Sequence, residues 1–254
     1  MTSNSNTPLA SQIDHTLLEQ GAPQDFVVNF AKDAVRFGFR TACVRAERIP
    51  WILETLQNTD VRPCAAVGYR LLVVKPTRDH YRSEEMMPRY NIELEEKKAE
   101  ITAVMDALDA KKMSSPVEFD ITFNIFRLLR GEPSYVEKEA QTLVTFCRTL
   151  GRERNRAVVV KLLAENYLLQ PDRRFHVWEA IRSAGADFVI TSSDYLPAGV
   201  SIEEVREMRG RLGPSIGIKA AGGVSQFNYQ SFLDAGATRI GSSMGVEIMD
   251  FSDR

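Results

Sequence analysis

Residues 215–243 read SIGIKAAGGVSQFNYQSFLDAGATRIGSS. Two short apolar runs, Ser215–Ala220 and Thr238–Ser242, flank an amphipathic stretch near Asn228–Ala235. Short apolar runs read as strands buried on both faces, and a helix between two of them makes a βαβ unit. Each run closes on glycine: Gly222-Gly223 follows the first, and Gly241-Ser242-Ser243 ends the second.

The same unit recurs towards the N-terminus. Strands are predicted at Ile13–Leu18, Thr41–Arg45, Pro63–Gly68, Val117–Phe123, Arg156–Ala164 and Asp187–Ser192. Between them, helices are predicted at Phe26–Phe37, Pro50–Gln57, Asn91–Leu108, Tyr135–Leu150, Arg174–Ala184 and Ile202–Leu212, with Gly38 as a left-handed cap of the first. About eight strands alternating with helices specify an α/β chain and favour a (β/α)8 TIM barrel over an open doubly wound sheet, which has fewer strands. The expected organisation is one barrel over residues 11–254 behind a disordered polar lead over residues 1–10. Arg70–Tyr90 breaks the rhythm without a clear period. On a barrel rim it reads either as a solvated insertion or as a lid or subunit contact.

The 254 residues are 44% hydrophobic and 26% charged, enough for a sizeable core. A formal charge of -2, from 32 basic and 34 acidic residues, gives no electrostatic case for nucleic acid or an anionic membrane. The three cysteines, Cys43, Cys64 and Cys147, have neither disulfide-framework nor zinc-site spacing. Met1–Pro8 is polar and unlike a signal peptide, and no apolar run approaches a membrane span, so a cytoplasmic setting is expected.

Paired glycines let backbone amides approach an anion, and barrel phosphate sites recur after the seventh and eighth strands. Gly222, Gly223, Ser242 and Ser243 are therefore candidate phosphate-binding residues, the alternative being two tight turns. Asp120, Lys161 and Lys219 stand inside apolar strands, where an unpaired charge is costly. Pointing into one barrel they would pair, and neighbouring lysines would lower each other's pKa towards Schiff-base chemistry. The competing reading is a structural ion-pair network. Asp14, in the strand IDHTLL, is a candidate for orienting a rim lysine, His15 reads as structural, and Cys43 as a small buried residue. No cofactor and no metal site is expected.

Ile13-Asp14-His15-Thr16-Leu17-Leu18, Ala42-Cys43-Val44, Val117-Glu118-Phe119-Asp120, Val160-Lys161 with Glu165, 184–189, Ile218-Lys219 through Gly223, and 236–243 occur in the order seen in deoxyribose-phosphate aldolases. The resemblance covers about residues 11–246. It implies a barrel, a homo-oligomer and a small phosphorylated substrate, with no metal required. It also implies a Schiff-base lysine on the sixth strand, in a Phe-Val-Lys-Thr-Ser-Thr-Gly motif. Here that stretch reads Phe188-Val189-Ile190-Thr191-Ser192-Ser193-Asp194, with Ile190 in the lysine's place, and Ser225 stands where the family often has arginine. Isoleucine cannot form an imine. The resemblance therefore implies a divergent carbon–carbon lyase, with Lys219 and then Lys161 as replacement nucleophiles and Asp120 as general acid/base. The two alternatives are enolisation by Asp120 and a protonated Lys219, and a non-catalytic phosphosugar-binding or regulatory barrel.

Overall fold

The computed structural model describes residues 7–69, 92–122, 124, 127–128, 132–193 and 199–253. Eight parallel strands close into one barrel in sequential order. They are β1 Ile13–Leu17, β2 Thr41–Arg45, β3 Arg62–Val67, β4 Val117–Thr122, β5 Val158–Leu163, β6 Phe188–Ile190, β7 Gly217–Ala220 and β8 Arg239–Ser242. The intervening helices are α1 Gln24–Phe37, α2 Ile49–Leu56, α3 Leu94–Ala110, α4 Pro133–Glu153, α5 Pro171–Ser183, α6 Ile202–Leu212 and α7 Tyr229–Asp234, with α8 Gly245–Ser252 after the last strand. The fold is the expected (β/α)8 TIM barrel.

Local chemistry sets the element ends. On α1, Val27, Phe30, Ala31 and Ala34 recur at helical spacing and are buried, and Gly38 stops the helix with φ 66° and ψ 36°. On α6, Ser201 Oγ accepts from the Glu204 amide at 3.1 Å, and Glu204 returns a carboxylate to the Ser201 amide at 3.0 Å. Leu9–Gln12 forms a 3-10 turn, and Leu9 and Ala10 pack on the core, so these residues of the expected lead are held. The α8 helix was not anticipated, because its eight residues bury only Gly245 and Ile248. The irregular segment at 70–90 lies outside the described residues. Among the described residues, no helix is long and apolar enough to cross a membrane.

Two apolar regions result. The larger fills the space between strands and helices, whereas Cys43, Cys64, Ala66, Tyr69, Leu163 and Ile190 form a separate cluster flanked by Leu18 and Ala221. Strand side chains alternate between faces. The residues of the smaller cluster on β2 to β6 share the inward face with Asp120 and Lys161, so this cluster is an apolar layer of the barrel interior.

His15 belongs to the outer face of β1. Its ring stacks on Phe30 at 3.6 Å and 6°, and neither ring nitrogen has a hydrogen-bond partner among the described residues. Burial pushes its pKa down to about 3 from 6.5, so the native ring is neutral. The unfolded chain therefore binds the additional proton between about pH 6.5 and 3. Stability should fall as pH drops through that window, by about 1.4 kcal/mol per unit at most. Urea melts between pH 4 and 7 should show a flatter pH dependence for His15→Phe; an unchanged slope would remove His15 as the cause.

A candidate active site built on a buried charge network

Inward residues of five strands converge on one another. Lys161 Nζ on β5 lies 2.7 Å from Asp14 Oδ2, 2.9 Å from Asp120 Oδ1 and 3.0 Å from Glu118 Oε2. Lys219 Nζ on β7 lies 2.5 Å from Asp120 Oδ2 and 2.8 Å from Asp14 Oδ2. Arg239 on β8 reaches Asp14 Oδ1 at 2.6 Å and Glu118 Oε2 at 3.2 Å. Thr41 Oγ1 donates to Asp14 Oδ1 at 2.9 Å, and the thiols of Cys43 and Cys64 approach the two Asp120 oxygens at 3.7 and 3.4 Å. All four oxygens of Asp14 and Asp120 are thereby occupied. Three carboxylates face Lys161, Lys219 and Arg239, so this buried core is charge-balanced, which is the condition under which burial is tolerable.

The sequence reading placed Asp120, Lys161 and Lys219 together, and the geometry does so. Asp14, the candidate for orienting a rim lysine, bridges both lysines at the centre of the network. The expectation that the lysines lower each other's pKa needs correction. Burial does disfavour each ammonium, but Asp120 and Asp14 outweigh it, and both lysine pKa values rise. Burial likewise opposes the Asp14 carboxylate, yet Arg239, Lys161 and Lys219 hold its pKa well below the usual range. For Asp120, Lys161 and Lys219 overcome the same penalty. The carboxylates around Lys161 and Lys219 thus hold both side chains as ammoniums.

Ile190 stands in register with Leu163 on β5 and Lys219 on β7. It contributes to the apolar layer beside the network and carries no polar atom to it.

The glycine turns lie next to the network. A Cβ on Gly241 would come within 2.5 Å of Lys219 Cε, so the absence of a side chain there gives the lysine its path. Gly241 is also the register partner of Asp14 across the barrel closure. Gly241→Ala should displace Lys219 and lower any Lys219-dependent turnover by about tenfold or more; an alanine variant with native kinetics would contradict this placement. Gly222 and Gly223 have φ of 92° and 79°, the left-handed region that glycine enters without strain. Ser242 Oγ donates to the Val224 carbonyl at 2.7 Å and accepts from the Met244 amide at 3.0 Å. That hydroxyl ties the two turns together instead of standing free, whereas Ser243 is exposed.

Several members of this assembly were missed. Glu118 and Arg239 were legible through period two: each lies two residues from Asp120 or Gly241 on the same strand face. Ser192 and Ser193 are buried, and their Oγ atoms have no hydrogen-bond partner among the described residues. A Cβ on Gly222 would lie 3.1 Å from Ser192 Cβ, so the serines adjoin the glycine turn. The Ser193 amide is held by Glu165, a non-glycine residue at φ 49°. Cys43, Cys64 and Asp120 also bring three potential metal-ligand side chains within 4.8 Å, a grouping invisible in their sequence spacing. They fit a divalent cation poorly, because both Asp120 oxygens already face ammonium groups.

No family model matches the chain. It is 32% identical over 243 residues to deoxyribose-phosphate aldolase of Caldanaerobacter subterraneus subsp. tengcongensis, covering 95% of this chain and 92% of that relative. It is 30% identical over 241 residues to deoxyribose-phosphate aldolase of Streptococcus mutans, covering 94% of each. The tetrameric deoxyribose phosphate aldolase of Aeropyrum pernix superposes with a TM-score of 0.76 at 26% identity, over 96% of this chain and 90% of that one. An ordered set of motifs, a closed barrel and full-length similarity agree: the chain belongs to the deoxyribose-phosphate aldolase family.

Proposed function

We propose that the protein is an aldolase-type carbon–carbon lyase acting on a small phosphorylated hydroxy-carbonyl compound, by a route that uses no imine. The observation that carries this reading is the Asp120 carboxylate held between the Lys161 and Lys219 ammoniums, with the Lys219 stem running past Gly241. The substrate phosphate would sit on the turns of Gly222, Gly223 and Ser243, with Ser242 holding those turns side by side. Ser192 and Ser193 would offer their hydroxyls to the bound molecule.

In this scheme the substrate carbonyl oxygen takes one hydrogen bond from Lys219. Asp120, thereby released from part of its pairing, becomes more basic and accepts the proton of the hydroxyl β to the carbonyl. The carbon–carbon bond breaks and its electron pair passes to the carbonyl oxygen as an enolate. The Lys219 ammonium stabilises that oxyanion, and returning a proton to carbon releases the second carbonyl product. Lys161 and Asp14 are positioning residues. The raised lysine pKa values favour this route over Lys219 or Lys161 as relocated Schiff-base nucleophiles. Homo-oligomerisation and a cytoplasmic setting are part of the proposal, and light scattering tests the first.

The reverse half-reaction gives the test. Incubated with small aldehydes in deuterated water, the protein should exchange the protons α to the carbonyl, followed by proton NMR, and Asp120→Asn should abolish the exchange. If the native chain neither exchanges nor cleaves any of a panel of sugar phosphates, the lyase reading fails. The complete burial of both ammoniums favours a second reading, a phosphosugar-binding barrel without turnover. Calorimetric binding of sugar phosphates with no exchange would select it.

A further inference from the structure

We infer that the N-terminal face of the barrel, opposite the glycine turns, carries an anion-binding cleft for a phosphate-sized group, centred on Arg62. A cleft of about 410 Å³ opens where α2 runs into β3 and α3 runs into β4. Its lining includes Arg62, Lys112, Asn58, Ser114 and Ser115, with Asp60 as an acidic member.

Three observations point to an anion. First, the Arg62 side chain is 29% exposed, and its ion pair is a 3.2 Å contact to Glu118 Oε1. Glu118 is already committed through its other oxygen to Lys161 and Arg239, so Arg62 shares a carboxylate that two buried cations also claim. Second, this end of the barrel carries surplus positive charge. Asp14, Glu118 and Asp120 balance Lys161, Lys219 and Arg239, which leaves Arg62 and Lys112 in the cleft against Asp60 alone, a surplus of one positive charge. Arg40 lies close enough that burial, then Arg239 and Arg62, pull its pKa down, and it makes no ion pair among the described residues. Lys112 also has no ion-pair partner among them. Third, Ser115 Oγ is enclosed and lacks a hydrogen-bond partner among the described residues. A tetrahedral oxyanion between Arg62 and Lys112 would neutralise the surplus, satisfy the serine and receive charge-assisted hydrogen bonds.

This site is separate from the proposed substrate site at the other end of the strands, and location-resolved binding distinguishes them. Inorganic phosphate should be titrated calorimetrically into the full-length native protein, Lys112→Asn and Arg62→Gln, with amide hydrogen exchange measured with and without phosphate. Asparagine suits position 112, whose φ is 52°, and removes the charge. The expected result is phosphate-dependent protection of residues 56–62 and 110–117, with binding to that site weakened about fivefold or more in Lys112→Asn. If Arg62→Gln does not fold, the exposed Lys112→Asn arm decides alone. No protection in those two stretches, or a Lys112→Asn variant protected at the same phosphate concentrations as native, overturns the proposal.

Discussion

Asp14→Ala is expected to destabilise the fold by about 3–5 kcal/mol, read as a lowered urea midpoint at unchanged slope. Asp14 accepts from Thr41 and Arg239 through one oxygen and from Lys161 and Lys219 through the other. Removing it leaves three buried cations facing two carboxylates in a medium that screens weakly. The double variant Asp14→Ala/Lys161→Met restores equal numbers of charges, so its cost should be smaller than the sum of the single costs by about 1–3 kcal/mol. A single-variant loss below about 1 kcal/mol would mean that the network contributes no more than an ordinary surface pair.

Lys219→Met is expected to lower lyase turnover by about 10²–10³-fold, the usual consequence of losing one preorganised oxyanion donor. KM for a phosphate-bearing substrate should change little, because the phosphate contacts lie on the glycine turns. Lys219→Arg should not rescue the rate: the lysine stem already runs against Gly241, and a planar guanidinium does not fit a path shaped for a single ammonium. Steady-state kinetics check both. Turnover of Lys219→Met within about threefold of native would exclude Lys219 from the reaction.

Barrel and site were legible to different depths. The fold was readable because buried parallel strands are near-continuous apolar runs separated by amphipathic helices, a pattern that survives boundary errors of a few residues. The β6 strand is shorter than its apolar run suggests, since Ser192 and Ser193 turn off towards Gly222 while Glu165 holds the Ser193 amide. Asp120, Lys161 and Lys219 stood out because charge inside an apolar run must find partners. Their protonation was not legible. It depends on how many carboxylates the closed barrel brings near each ammonium, and Glu118 and Arg239 had not been counted. The Cys43 and Cys64 thiols meet Asp120 only because β2 and β3 pair in register.

The occupancy of the Asp14 and Asp120 oxygens also explains what position 190 would do. A lysine introduced by Ile190→Lys would enter beside Lys219, where the Asp14, Glu118 and Asp120 carboxylates are already paired. Desolvation and two neighbouring ammoniums would then depress its pKa towards neutrality. On the proposed imine-free route the native site presents no such amine. Borohydride reduction in the presence of a small aldehyde, followed by intact and peptide mass spectrometry, tests it directly. The native protein is predicted to remain unmodified, while Ile190→Lys gains one reduced-imine adduct at position 190. A stoichiometric adduct on Lys219 or Lys161 of the native chain would contradict it.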